Sequence, residues 1–146
     1  MGIDPYFVAE MRVQYALECL QSGDAIEALV ESEELLDDLS AHPEALFLSG
    51  QSQLLMGNIV GALLTLQQAA LLSPNEPEIH VGIAAAAFDA GEYALSLSAS
   101  KFAIKLGTKS SIAWRYKGLS VLRTGKPNTG QSALLRAFEM DANSNP

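Results

Sequence analysis

The chain has 146 residues, a length that suits one domain, and 49% of them are apolar, enough to bury a core. No apolar run approaches the roughly 20 residues of a membrane-crossing helix, which excludes membrane insertion. The net charge of −8 argues against nucleic acid, whose phosphates are held by basic charge.

Leu and Ala far outnumber Val and Ile among the apolar residues. Both are strong helix formers, so an all-helical chain costs little in propensity. Residues 1–8 lack a basic stretch followed by an apolar run, so no export signal is expected there. They read as an N-terminal extension or a cloning remnant. Cys19 is the only cysteine, so no internal disulfide forms and a reducing cytoplasm is the expected compartment.

Apolar spacing and turn residues predict first helices over 6–21, 44–56, 77–90 and 111–124. Second helices follow over 25–39, 59–72, 93–106 and 127–141. Gly23, Gly57, Gly91 and Gly125 fall just past the first helix of each pair, where a left-handed residue reverses the chain without a Cβ penalty. Asp24, with Glu27 three residues on, is placed to cap the second helix, and Asn75 with Glu78 to cap the fifth. Pro127 suits a first helical turn.

These glycines stand on a ladder with a step of 34 residues, and other positions keep the same period. Ala28, Ala62, Ser96 and Gly130 share one slot. Ala69, Ala103 and Ala137 share a second, where Leu35 stands in the first unit. Gly50 and Gly118 share a third with Ala16 and Ala84. Small residues at fixed offsets let paired helix backbones approach closely. Leu46 and Trp114 hold a large-residue slot, also occupied by His80, and Pro74 closes the second unit.

This pattern resembles the tetratricopeptide repeat (TPR) family. The resemblance covers about residues 9–143. It implies an all-α fold: a right-handed superhelical solenoid of four helix-turn-helix units over 9–42, 43–76, 77–110 and 111–143, with a tail at 144–146. Departures from the pattern are Leu35 at an alanine slot and Ser40, Thr108 and Ala142 at the proline slot.

The resemblance also implies a function. First helices of this family line a concave protein-binding groove. That geometry points to Val13 and Leu17, then Phe47 and Gln51, then Val81, Ala85 and Phe88, and finally Arg115, Tyr116 and Leu119. The expected role is an adaptor or chaperone-like module that binds an apolar peptide or helix of a protein partner. Size and groove character give a weaker likeness to repeat-type chaperones of bacterial type III secretion. Co-chaperones of the family hold a carboxylate tail with cationic side chains. The matching positions here are Val13, Leu17, Leu48, Glu78 and Gly82, or, one unit on, Phe47, Gln51, Gly82, Ile112 and Tyr116. Neither set supplies the cations, and an unpaired carboxylate in an apolar slot is disfavoured.

Charge supports an alternative role. Glu10, Glu18, Asp24, Glu27, Glu31, Glu33, Glu34, Asp37 and Asp38 face Arg12 alone in the first unit. Arg115, Lys117, Arg123, Lys126 and Arg136 outweigh Glu139 and Asp141 in the fourth. Copies stacked end to end would pair these opposite ends and form a scaffold. Leu134, Leu135 and Phe138 of the last helix lack an evident cover and would be the oligomer surface. No enzyme constellation is evident. His42 and His80 have no ligand set around them, no Gly-x-Ser-x-Gly or phosphate loop occurs, and neither cofactor nor metal is expected. A regulatory piece of a larger enzyme is a remote third reading.

Overall fold

The computed structural model describes residues 2–39 and 41–144. Met1, Ser40, Asn145 and Pro146 lie outside the described residues, and with them part of the predicted extension and tail and the Ser40 slot. Eight helices and no strand occur among the described residues. They are α1 (Pro5–Gln21), α2 (Ala25–Asp38), α3 (Pro43–Leu55), α4 (Ile59–Leu72), α5 (Pro77–Asp89), α6 (Tyr93–Lys105), α7 (Ser111–Arg123) and α8 (Pro127–Ser144). The chain divides into two compact units, Met1–Pro74 and Asn75–Pro146. In the first, α1 packs on α2, α2 on α3 and α3 on α4. In the second, α5 packs on α6, α6 on α7 and α7 on α8.

The four ladder glycines adopt φ between +80° and +89°. In each turn the amide that follows the glycine reaches back into the last turn of the helix. Asp24 N–H donates to the Cys19 carbonyl (2.8 Å), Asn58 to Gln53 (2.9 Å), Glu92 to Ala87 (2.8 Å) and Lys126 to Val121 (3.2 Å). These bonds satisfy carbonyls that the helix end would leave orphaned. Gly107, off the ladder, makes the same turn after α6 at φ +88°. The chain leaves α4 differently: Ser73, ahead of Pro74, takes a non-helical backbone at φ −134° and ψ 73°, and the proline disfavours a helical residue before it.

Helix starts follow local chemistry. Pro5, Pro43, Pro77 and Pro127 stand at the first helical position, where a missing N–H costs nothing. The Asp24 carboxylate accepts the Glu27 N–H (3.0 Å) and Asn58 Oδ1 accepts the Gly61 N–H (3.2 Å). His42 caps α3: its Nδ1 accepts the Ala45 N–H (3.1 Å). The cap expected at Asn75 does not form. Pro77 starts α5, so the capping position falls on Glu76, which makes no side-chain cap. Glu78 instead accepts the Thr108 hydroxyl (3.2 Å).

The core of each pair is built from tiny side chains. A Cβ on Gly118 of α7 would lie 2.8 Å from the Gly130 carbonyl oxygen of α8 and 2.7 Å from Leu134 Cγ. A Cβ on Gly130 would lie 2.9 Å from the Gly118 oxygen. Gly50 makes the same room for Leu66, whose Cγ would be 2.6 Å from an added Cβ and which is fully buried. Where α4 and α8 set leucine over glycine, the corresponding slots of α2 and α6 hold Ser32 and Ser100, and the glycine slot holds Ala16 or Ala84. Volume is thus traded across the contact. The buried hydroxyls of Ser32 and Ser96 are satisfied by the backbone: Ser32 donates to the Ala28 carbonyl (2.8 Å) and Ser96 crosses from α6 to the Ala84 carbonyl (2.7 Å).

Two glycines therefore carry different constraints, one steric and one conformational. Gly118→Ala is expected to cost about 1–3 kcal/mol by overpacking, and Gly57→Ala about 1–2 kcal/mol through its left-handed backbone. Urea unfolding checks both. Gly57→Asn should lose less than Gly57→Ala, because Asn tolerates that conformation, whereas Gly118→Asn should lose more than Gly118→Ala.

Candidate functional site

In the first unit, Leu17, Phe47 and Gln51 come together. With Leu20, Gln21, Leu48 and Leu55 they line a shallow apolar depression of about 320 Å³ between α1 and α3. Phe47 and Gln51 stand one helical turn apart on α3, which places them on one side of the helix. Val13 points elsewhere: it packs against the buried cluster of Ala9, Leu35 and Ala45. A second hollow of about 310 Å³ between α1 and α2 is lined by Pro5, Val8, Ala9, Arg12, Leu35, Asp38 and Leu39. First-helix reasoning did not anticipate it, because part of its wall comes from a second helix.

Arg12 forms one wall of that hollow and gathers the acidic face of α2. Its guanidinium lies 2.9 Å from Asp38, 3.4 Å from Glu34 and 3.6 Å from Glu31. The three carboxylates recur at helical spacing, so one cation meets all of them. Glu10, Glu18, Glu33 and Asp37 remain exposed.

In the second unit an aromatic cluster forms where α5, α6 and α7 meet. The rings of Phe88 and Tyr116 lie 5.5 Å apart, and those of Phe88 and Tyr93 5.2 Å apart. Both pairs are tilted, as ring quadrupoles prefer. The Arg123 guanidinium lies over Phe88 at 5.7 Å and over Tyr93 at 5.6 Å. The rings are half-buried and Arg123 is exposed. Tyr93 opens α6, a second helix, and so escaped a reading confined to first helices. Ala85 and Leu119, also expected at the site, are half-buried on α5 and α7. Lys117, one residue past Tyr116, places its ammonium 4.9 Å from the ring centre of Trp114.

Besides Val13, two expected groove residues are engaged in other contacts. Val81 is 6% exposed and packs with Ala103 and Ala113; it is core, because α5 turns that position onto α6 and α7. Arg115 pairs with Asp141 of α8 at 3.5 Å, and the cation on the aromatic cluster is Arg123. The expected oligomer surface also changes. Leu134 is folded onto Gly118, so only Leu135 and Phe138 of the three stand exposed, at 58% and 70%.

His80 packs edge-on against Phe102 with centroids 4.6 Å apart. Among the described residues no group of three or more His, Cys, Asp or Glu side chains could hold a metal ion, and no helix is long and apolar enough to cross a membrane.

No protein-family profile matches the chain and no curated protein matches its sequence. Solved structures do. MamA from Desulfovibrio magneticus RS-1 superposes with a TM-score of 0.79 at 17% identity, covering 98% of this chain and 78% of that one. A thermophilic TPR protein of Thermus thermophilus gives a TM-score of 0.77 at 18% identity over 92% of this chain and 75% of that one. The chain has the tetratricopeptide-repeat fold. This repeat fold is also a part of larger proteins: a mutant O-GlcNAc transferase of Thermobaculum terrenum matches with a TM-score of 0.77 at 21% identity, over 83% of this chain but 23% of that one. The weaker likeness to type III secretion chaperones finds no support among these structures.

Burial of the Tyr116 hydroxyl raises its pKa above the ordinary 10.0, Asp89 adds to the rise, and Arg115 opposes it. The folded chain thus holds this proton more tightly than the unfolded chain does. Stability from this group is full below about pH 10 and is lost as pH rises through the folded value. Unfolding at stepped alkaline pH should show a loss that Tyr116→Phe reduces, and absorbance titration should show a late-ionising phenol missing from that variant.

Proposed function

We propose that the chain is a protein-interaction module, with the helix pairs acting as four repeat units over 9–42, 43–76, 77–110 and 111–143. Each compact unit offers a contact surface of its own. Leu17, Phe47 and Gln51 form the one in the first unit. Ala85, Phe88, Tyr116 and Leu119, extended by Tyr93 and Arg123, form the one in the second.

The aromatic cluster under Arg123 carries this reading. Half-buried rings supply large contact area at low entropic cost, and such residues dominate binding energy in protein interfaces. The guanidinium face rests on the rings, which leaves its N–H edge for a carboxylate. The preferred partner is a peptide segment with bulky apolar side chains beside Asp or Glu. This is binding rather than catalysis: the side chains gathered are aromatic, aliphatic and cationic, without a nucleophile and base among them. A reducing cytoplasm, in which buried Cys19 stays a thiol, suits the same reading.

An array of peptides about 15 residues long, varied in Leu, Phe, Asp and Glu content, tests it. Apolar–acidic sequences should bind, and fluorescence anisotropy should show Tyr116→Ala weakening them about tenfold or more, a change on the order of 1.4 kcal/mol. Arg123→Gln should lose only the preference for the acidic neighbour. Helicity should be unchanged in both. Binding that survives Tyr116→Ala together with Phe47→Ala would refute the assignment.

A further inference from the structure

The two units contain the same buried cluster, two repeat periods apart. In the first, Leu35 and Ala45 are buried, with Leu36 packed against them. In the second, Ala103 and Ala113 are buried, with Ile104 packed against them. Each cluster joins a residue of the next first helix, Ala45 or Ala113, to the preceding second helix, whose Leu36 or Ile104 packs against it. In the register of the last pair these positions are Ala137 and Phe138. Ala137 is buried, yet Phe138 stands 70% exposed, and no described residue takes the part of Ala45 or Ala113.

The 34-residue register names the residue that would fill this place in a further first helix. One period before Ala45 stands Met11 of α1. It is 59% exposed, and Phe7 and Tyr15, one turn to either side of it on α1, are exposed as well. Both halves of such a contact are thus present on one molecule, Met11 on α1 and Phe138 on α8, and both side chains are exposed.

We infer that a second copy of this chain completes the cluster, seating Met11 of its α1 on Phe138 of the first copy's α8. The contact continues the α2–α3 and α6–α7 packing already inside each unit. Its chemistry suits a thioether against a ring. Charge favours it at long range: the end that supplies Met11 carries exposed Glu10, Glu18, Glu33 and Asp37, and the last helix pair carries Lys117 and Lys126 besides Arg115 and Arg136, whose charges meet Asp141 and Glu139 in place. Two different surfaces meet, so the assembly is head-to-tail and grows beyond a dimer. It is independent of the peptide surfaces, since Phe47 and Tyr116 take no part.

Sedimentation of the full chain across concentration, with Phe138→Glu and Met11→Glu variants, tests this. The unaltered chain should form a concentration-dependent series of oligomers, weakened above roughly 0.5 M salt as screening shortens. Each variant alone should be monomeric with unchanged helicity, because both side chains are exposed. An equimolar mixture of the two should form a one-to-one dimer, each contributing its intact face, and should grow no further. An unaltered chain that stays monomeric at about 1 mM overturns the inference. Oligomers that tolerate either variant, or a mixture that stays monomeric, overturn it too.

Discussion

Tiny side chains where paired helices meet set the geometry of this fold, and the last pair goes furthest. Gly118 and Gly130 bring the α7 and α8 backbones so close that each carbonyl crowds the space where the other's Cβ would be. Such an approach gives many weak dispersion contacts in place of a few large side chains. It explains why the buried residues are so often Ala and Ser and why Leu66 and Leu134 lie directly over glycine. It also pushes the large side chains outward, to the edges of the pairs, where Phe47, Phe88 and Tyr116 are available for contact.

The turns serve the same end. A left-handed glycine, with the hydrogen bond that closes over it, reverses the chain tightly enough for the second helix to lie back on the first. The acidic face of α2 is arranged around one cation rather than left to repel itself. Exposed ion pairs contribute little singly, but Arg12 faces three carboxylates and is itself mostly covered. The first unit thus directs part of its charge inward, and the carboxylates that remain outside give that end its field.

Helix placement was legible because its signals are local. Glycines follow five helix ends and prolines open four helices; the expected bounds fall within a residue of the observed ones except at the end of α8, which runs on to Ser144, and the 34-residue step ties them into one design. Asn75 misled because it resembles a cap one residue before the position that Pro77 defines. The candidate site was less legible. Val81 and Phe88 lie on the same helix and both are apolar, yet one is core and the other reaches solvent, a difference set by neighbours from α6 and α7. Tyr93 belongs to a second helix, which family geometry would not consult. Leu134 and Leu135 are adjacent in sequence but lie about 100° apart around α8, one turn being about 3.6 residues. Only knowledge that Gly118 opens toward Leu134 separates their fates.

Trp114 is the only tryptophan in the chain, and it lies in the second compact unit with an ammonium over its ring. Intrinsic emission from this protein is therefore a local observable. It follows the melting of one unit and is blind to the other, whereas circular dichroism averages over both. A fluorescence transition taken by itself describes half a molecule, and any claim of all-or-none unfolding rests on the two signals coinciding.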